Sequence, residues 1–387
     1  MRNLFIFLSF LLSFETAYAA QMPLPPTLAV KSYVLKDFNS GAVMAQQHAD
    51  QRVEPASLTK VMTAYLVFNA IKVGHLKLNQ TLPVSDYAWK GGGGGCGGGK
   101  GSCMFIDPKS IVTVDELLRG MIIVSGNDAS VALAEGLAGT EEAFADLMNK
   151  EAQRLGMKSS HFMNSTGLPD EQHYTTATDL SILATALIRD FPEEYQRYYS
   201  QKDYIYKNIR QENRNTLLLK DSTVDGMKTG HTESAGYCLI TSAKRGARRL
   251  ISVVLGAPSK DARASESQRL LNYGYQFFDT TLVYKKGQEI NTLRVWKGQS
   301  NQVKGTVEND LYLTLPKGQY AQVKATLTSM QPLVAPINTN QIIGKISFKL
   351  GGKLILEQAI VAANAVDSAN IFGRIWDSLR LVFHKYD

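Results

Sequence analysis

A serine and a lysine three residues apart begin a long apolar run early in the chain. Ser57-Leu58-Thr59-Lys60 is followed by residues 61–71, which are apolar at nearly every position. Residues three apart on a helix share one face, so the Lys60 amine can reach the Ser57 hydroxyl. A serine hydroxyl becomes a good nucleophile when a base takes its proton, and a buried, neutral lysine can be that base. The spacing predicts an acylating serine, although roughly one such pattern is expected by chance at this length.

Two further motifs lie where elements of the chain meet. Ser125-Gly126-Asn127 falls at the junction of two predicted helices, which can expose side chains in a cleft; a helix cap is the alternative. Ser368-Ala369-Asn370 has the same pattern and is interpreted only as a cap. Lys228-Thr229-Gly230-His231 precedes two predicted strands, where its lysine and threonine can hold a carboxylate and Gly230 leaves room for a substrate backbone. An ordinary strand entry with a glycine turn is the alternative there.

The elements that must position these motifs alternate between strand and helix patterns. Extended runs at 32–35 and 42–44 flank a polar turn, and two strands at 237–241 and 250–255 flank a basic turn. Apolar residues at helical spacing predict helices at 61–71, 114–124, 128–137, 141–155, 178–188 and 266–278. The 61–71 helix is apolar on nearly every side, which is typical of a buried central helix. The pattern predicts a mixed α/β domain with helices between its first and last strands.

The composition changes after about residue 278. Short apolar runs separated by glycine and proline turns predict a small β-sandwich, at 293–296, 311–315, 323–327, 342–343, 345–348 and 354–356. The last segment, 367–387, places a set of apolar side chains on one helical stripe: Ile371, Phe372, Ile375, Trp376, Leu379, Val382 and Phe383. This segment is too short and too charged to span a bilayer, and it predicts a helix lying in a membrane interface. A helix docked on the protein's own surface is the alternative.

The N-terminus has the pattern of a secretory signal peptide. Met1-Arg2-Asn3 precedes an apolar run over residues 4–14, and Ala17-Tyr18-Ala19 fits a cleavage site. Because this run is too short to cross a bilayer, we expect cleavage after Ala19, with an uncleaved anchor as the alternative. Export would place the chain where thiols oxidise and ATP is absent. The net charge of +7 over 387 residues is only a mild bias towards acidic partners, and we expect no nucleic-acid binding.

In the order S-x-x-K, S-x-N and K-T-G, the three motifs form the set of class A β-lactamases and penicillin-binding proteins, whose usual middle motif is S-D-N. Four stretches, 54–60, 119–129, 209–215 and 224–232, closely resemble the D-alanyl-D-alanine carboxypeptidases of the low-molecular-weight penicillin-binding class. The chain is most similar to the penicillin-binding protein five/six type. The resemblance covers essentially all of the chain after the signal peptide. It implies a β-lactamase/transpeptidase-like catalytic domain with an antiparallel sheet and helices, then a small β-sandwich and an amphipathic helix.

The resemblance implies a serine peptidase that acts on peptidoglycan. Ser57 would attack the penultimate carbonyl of a pentapeptide stem and release D-alanine, with Lys60 as general base and Ser125 relaying protons. β-Lactam antibiotics, which mimic the terminal dipeptide, would acylate the same serine. The implied enzyme needs no cofactor. The six histidines show no metal-ligand spacing, so no metal site is predicted.

The resemblance also implies the substrate-binding residues. Asn127 would hold the substrate amide, and Lys228 with Thr229 would engage the terminal carboxylate. The backbone N–H groups of His231 and of the nucleophile would form the oxyanion hole. Arg263 would be a second carboxylate contact, in a local sequence that matches the family less well.

Three other functions are weighed against the carboxypeptidase. A class A β-lactamase needs a deacylating glutamate with an asparagine four positions on, and Glu171 is followed there by Thr175. A D,D-endopeptidase would use the same acylation chemistry on cross-links, and the active-site motifs leave that alternative open. The third is a non-enzymatic, membrane-anchored wall-binding module, and the intact motifs argue against it.

A glycine-rich segment at 91–101 departs from the family pattern and contains nine of the 31 glycines. It fits G-x-x-x-x-G-K, but Gly101 stands where a phosphate-binding loop needs serine or threonine, so nucleotide binding is rejected. In the family this stretch is a loop at the active-site rim. We expect a disulfide between Cys96 and Cys103 to restrain it, and Cys238 to be a buried thiol.

These inferences predict four parts: a signal peptide at 1–19, a catalytic domain at 20–277, a β-sandwich at 278–366 and a membrane-anchoring helix at 367–387. The expected location is the periplasmic face of the inner membrane. The expected partners are the peptidoglycan stem peptide, β-lactams and, through the last helix, the membrane surface. The sequence makes no prediction of the oligomeric state.

Overall fold

A computed structural model describes residues 24–92, 96 and 101–383. The predicted signal peptide and most of the glycine-rich segment lie outside the described residues. The helices are α1 Lys60–Lys72, α2 Asp86–Trp89, α3 Val114–Ile122, α4 Asn127–Ala138, α5 Glu141–Leu155, α6 Ala177–Asp190, α7 Pro192–Tyr199, α8 Leu217–Lys220, α9 Lys260–Phe277 and α10 Ile371–Phe383.

The strands belong to one catalytic sheet, one C-terminal sheet and short pairs. In chain order they are β1 Ser32–Asp37, β2 Val43–Gln47, β3 Thr81–Pro83, β4 Ile111–Thr113, β5 Asp203–Tyr206, β6 Ile209–Glu212, β7 Val224–Thr232, β8 Gly236–Arg245, β9 Arg248–Ala257, β10 Phe278–Tyr284, β11 Asn291–Trp296, β12 Gln302–Thr306, β13 Leu311–Pro316, β14 Lys324–Ser329, β15 Leu333–Val334, β16 Ile342–Leu350 and β17 Lys353–Ala362.

The first domain is the predicted mixed α/β fold. Its antiparallel sheet has the order β2-β1-β9-β8-β7, and most of the helices fall between β2 and β7 in the chain. Helix α1 is buried on almost every side, which is why its sequence shows little apolar periodicity. The two strands that the sequence pairs around a basic turn are β8 and β9, with Arg245 opposite Arg248 at the turn.

Helices α3 and α4 meet at the S-x-N motif. Thr113 and Glu116 form a capping box that starts α3, and α3 ends at Ile122, two residues before the end of the predicted helix. Ser125 then has φ of 66°, a left-handed conformation that a continuing helix cannot contain. The chain therefore turns sharply before α4.

The C-terminal domain has a six-stranded sheet of order β14-β16-β17-β12-β11-β15 and a separate β10–β13 pair. The predicted runs lie in these strands, whereas β10, β12 and β15 were not predicted. The predicted helix at 266–278 begins earlier, at Lys260, because Ser259 caps it by accepting the N–H of Ala262. The chain passes directly from α9 into β10, where the hydroxyl of Thr280 donates to the buried carboxylate of Asp37 in the first domain at 2.6 Å.

The last helix, α10, exposes its apolar stripe. Phe372 and Val382 are 84% and 80% exposed, and Ile375, Trp376 and Leu379 are more than half exposed. The backbone N–H of Lys297 donates to Asp377 on the other face of the helix, which attaches α10 to the end of β11. Across the described residues, no helix is long and apolar enough to cross a membrane.

Candidate active site

The serine of S-x-x-K lies in a tight turn before α1. Residues Ala56–Thr59 form a 3-10 helix, and Ala56 has φ of 47°, an uncommon value for a residue with a side chain. Lys60 is the first residue of α1 and is 1% exposed. Its Nζ lies 2.9 Å from Ser57 Oγ, so the pair meets as the spacing predicts.

The surroundings of Lys60 suit a neutral amine. Besides Ser57 Oγ, its Nζ lies 2.7 Å from Asn127 Oδ1 and 2.6 Å from the carbonyl of Thr166. A neutral amine has two N–H groups for these two acceptors and one lone pair for the serine proton. Burial lowers the pKa of Lys60 to about 7; Asp128 and Glu141 oppose this shift, and Arg214 adds to it. Near neutral pH, Lys60 can therefore act as a base.

The second serine is held by the second lysine. Lys228, on β7, is 3% exposed, and its Nζ donates to Ser125 Oγ at 2.8 Å. Burial lowers its pKa well below the usual range, and the charge of Lys60 lowers it further. The three motifs therefore meet in one cluster, in which Asn127 contacts Lys60 and Lys228 contacts Ser125. Within this cluster, Lys60 can take the proton of Ser57, and Lys228 can exchange a proton with Ser125.

The K-T-G strand lies directly against the serine turn. A Cβ added to Gly230 would approach the Ala56 Cβ, the Leu58 Cγ and the Pro55 carbonyl at 3.2 Å. Glycine therefore allows β7 to pack closely on the residues around the nucleophile. Thr229 is nearly buried beside it, and the exposed ring of His231 packs on Tyr237 with centroids 4.0 Å apart.

Arg263 lies behind this strand, in the first turn of α9. It is 6% exposed, and its guanidinium donates to the carbonyls of Gly230 at 3.2 Å and Arg214 at 3.3 Å. Arg263 therefore links the backbone of β7 to the backbone at Arg214. Arg214 is exposed, and its charge helps to lower the pKa values of Lys60 and Lys228, for which burial is the main cause.

A loop at 164–168 covers the lysine of S-x-x-K. Asn164 Oδ1 accepts three backbone N–H groups of this loop. The buried carboxylate of Glu141 accepts the backbone N–H and the hydroxyl of Ser165. These contacts fix the carbonyl of Thr166 towards the amine.

The glutamate weighed for a class A β-lactamase is not buried. Glu171 is exposed, and Thr175 is buried with its hydroxyl 2.8 Å from that of Ser160. His173 lies behind the serine turn instead, with Nε2 3.0 Å from Thr59 Oγ1. Burial lowers the pKa of His173 to about 4, so its ring is neutral at pH 7. No group of His, Cys, Asp and Glu within the described residues is placed to hold a metal ion.

Comparison with known proteins agrees with this arrangement. The family model "D-alanyl-D-alanine carboxypeptidase" matches residues 18–259, and "Penicillin-binding protein 5, C-terminal domain" matches residues 278–368. This chain belongs to the D-alanyl-D-alanine carboxypeptidase family. It is 41% identical to the D-alanyl-D-alanine carboxypeptidase DacA of Escherichia coli K12 over 367 residues, which cover 94% of this chain and 90% of the relative.

Solved structures support the same family. Penicillin-binding protein 5 from Haemophilus influenzae has a TM-score of 0.85 and 42% identity, over 89% of this chain and 100% of that one. An ampicillin-bound structure of penicillin-binding protein D2 from Listeria monocytogenes has a TM-score of 0.56 and 29% identity, over 65% of this chain and 100% of that one.

Sequence reasoning gave no role to four residues that complete the site of this carboxypeptidase. Thr166 contributes only a main-chain carbonyl, which leaves no trace in the sequence. Asp128 and Glu141 hold loops rather than substrate. Arg214 lies between two asparagines in the stretch 209–215. The resemblance of this stretch to the family was the one sequence signal that Arg214 belongs to the site.

Proposed function

We propose that this chain removes the terminal D-alanine from peptidoglycan pentapeptide stems through an acyl-enzyme on Ser57. The observation that carries the proposal is the buried amine of Lys60, which lies 2.9 Å from Ser57 Oγ and has a pKa near 7. This arrangement supplies an activated nucleophile at neutral pH.

In the acylation step, Ser57 Oγ attacks the carbonyl carbon of the penultimate D-alanine, and its proton passes to Lys60. The carbonyl oxygen becomes an oxyanion beside the N–H groups of Ser57 and His231. The C–N bond then breaks as Ser125, whose Oγ accepts from Lys228, gives its proton to the departing amine. The proton that Lys60 took from Ser57 passes to Ser125, so Lys60 is neutral again for the next step. Thr229 and the nearby cations hold the carboxylate of the terminal D-alanine until the bond breaks, and free D-alanine then leaves.

Water completes the cycle by attacking the ester carbon, and the proton it loses returns through Lys60 to Ser57 Oγ. A β-lactam would open its ring on the same serine. Its leaving nitrogen stays tethered to the acyl group, which keeps the product in the site. We therefore expect penicillins to form a long-lived adduct.

The test measures D-alanine release from a soluble pentapeptide, together with fluorescent penicillin labelling and mass spectrometry of the labelled peptide. We expect stoichiometric labelling of Ser57, and loss of labelling and of D-alanine release in Ser57→Ala. Labelling that survives this substitution would refute the nucleophile assignment. Rapid drug turnover would favour a β-lactamase, and faster cleavage of cross-linked dimers than of pentapeptide would favour a D,D-endopeptidase.

We also propose that α10 holds the enzyme at a membrane surface. The exposed stripe of Phe372, Ile375, Trp376, Leu379 and Val382 is the kind of face that enters the boundary between headgroups and acyl chains. The formal charge of residues 367–387 is zero, so apolar burial must supply the binding. A chain ending at Val366 should leave the membrane fraction and keep its carboxypeptidase activity. If it sediments with membranes as before, α10 is not the anchor.

For localisation, we propose export with cleavage after Ala19, followed by function on the periplasmic face of the inner membrane. The support is the charged, apolar and small-residue order of the first 19 residues. N-terminal sequencing of the protein from cell envelopes should begin at Ala20. A chain that begins at Met1 or Arg2 would contradict cleavage.

A further inference from the structure

A disulfide beside the S-x-N motif joins the glycine-rich segment to the chain just after it. Cys96 and Cys103 are bonded, with Cα atoms 5.6 Å apart. Cys103 is 5% exposed, whereas Cys96 is half-buried and accessible from solvent. Nine of the eleven residues at 91–101 are glycines, which offer no side chains for packing and have the largest conformational freedom when unconstrained. The disulfide therefore joins Cys96, within this segment, to the buried Cys103 just after it.

Both sides of this disulfide reach Asn127. On one side, the carbonyl of Ser102, next to Cys103, accepts the backbone N–H of Asn127 at 2.7 Å. On the other, the backbone of Gly91 is packed between Cys96 and Asn127. A Cβ on Gly91 would lie 3.0 Å from Cys96 Sγ and 3.1 Å from the Asn127 Cβ. Gly91 also has φ of 68°, so its position requires glycine.

The same segment is bound to the residue after Asn127. The carboxylate of Asp128, 1% exposed, accepts the backbone N–H groups of Met104 at 2.9 Å, Phe105 at 2.9 Å and Ile106 at 3.3 Å. The S-x-N turn thus rests on a strip of backbone whose first residues are fixed by the disulfide. Because Asn127 Oδ1 accepts from Lys60 Nζ, a shift of this strip would reach the catalytic lysine.

We propose that the Cys96–Cys103 disulfide is a positioning element for the S-x-N motif, and that its reduction slows acylation of Ser57 while the protein stays folded. The inference rests on the proposed function, since acylation is its readout. In the reducing step a dithiol transfers two electrons and two protons to the disulfide. Two cysteine thiols form, and the dithiol becomes a cyclic disulfide.

The test compares the full-length protein before and after treatment with dithiothreitol, and after reoxidation. Thiol counting should give one thiol, Cys238, before reduction and three after it. We expect the first-order acylation rate at saturating fluorescent penicillin to fall about 10-fold, within the ~100-fold that a 1 Å misplacement can cost. Reoxidation should restore it. Thermal unfolding measured on the same samples checks that the reduced protein is folded at the assay temperature.

The double variant Cys96→Ala/Cys103→Ala is the matched control for the reductant. It should acylate as slowly as the reduced protein and should not respond to dithiothreitol. An unchanged acylation rate with three titrated thiols would refute the positioning role, as would a response of the double variant equal to that of the wild type. Absence of labelling in the oxidised protein would instead refute the proposed function.

Discussion

Gly167 offers a direct test of how tightly the covering loop must sit on the serine turn. Its φ is 85°, and a Cβ added there would lie 1.8 Å from the carbonyl oxygen of Ala56 and 2.9 Å from Thr59 Oγ1. Real Cβ atoms essentially never come within 3.0 Å of such neighbours. In Gly167→Ala the loop and the turn must therefore separate by about 1.2 Å, the difference between 3.0 Å and 1.8 Å.

This separation acts on both halves of the catalytic pair. Thr166, next to Gly167, presents its carbonyl to Lys60 Nζ at 2.6 Å, and Ala56 precedes Ser57. A misplacement of about 1 Å can cost ~100-fold in rate. We expect the rate of Ser57 acylation by fluorescent penicillin to fall by about 100-fold in Gly167→Ala. The rate is measured from labelling in samples quenched at set times, at several drug concentrations.

Gly139→Ala is the matched control. Gly139 ends α4 with the same φ of 85°, but a Cβ there would meet nothing within 4 Å. This variant has only the left-handed strain, about 1–2 kcal/mol, which lowers Tm. It should acylate at the wild-type rate. If Gly167→Ala acylates within threefold of Gly139→Ala while both are folded, the loop does not set the geometry of the lysine.

Three further predictions concern separate features. The acylation rate should rise with pH through about 7 and then level, because below that pH Lys60 is protonated and cannot accept the proton of Ser57; a rate independent of pH between 5 and 9 would contradict this role. Burial lowers the pKa of His173 from 6.5 to about 4, so the unfolded chain binds the extra proton first. Its contribution to the free energy of unfolding is complete above pH 6.5 and is lost as the pH falls towards 4. Urea unfolding at several pH values should show this decrease, and His173→Gln should make it smaller. Ile375→Glu with Leu379→Glu should release the protein from anionic and neutral vesicles without changing D-alanine release; continued co-sedimentation would locate the anchor elsewhere.

The motif residues could be predicted to meet because their spacing carries local geometry. Ser57 and Lys60 are one turn apart whatever the rest of the fold does, and the apolar run after them predicts the burial that lowers the pKa of the amine. The conformation of Ser125, with its left-handed φ, was hidden, since a serine there does not differ in sequence from an ordinary cap. The end of α3 was therefore placed two residues too late.

The supporting contacts could not be predicted because they join distant backbone groups. Thr166 and Lys60 are 106 residues apart, and the contact uses a carbonyl that any residue could supply. Arg263 was predicted to contact the substrate carboxylate, and that stays a prediction; its guanidinium donates to the main-chain carbonyls of Gly230 and Arg214, which the sequence did not indicate. Its type indicates an anion site, but the position of its guanidinium depends on how α9 packs on β7 and β8. A site built from three short motifs can thus be recognised from sequence, while the loops that fix it to within an ångström can be read only from the folded chain.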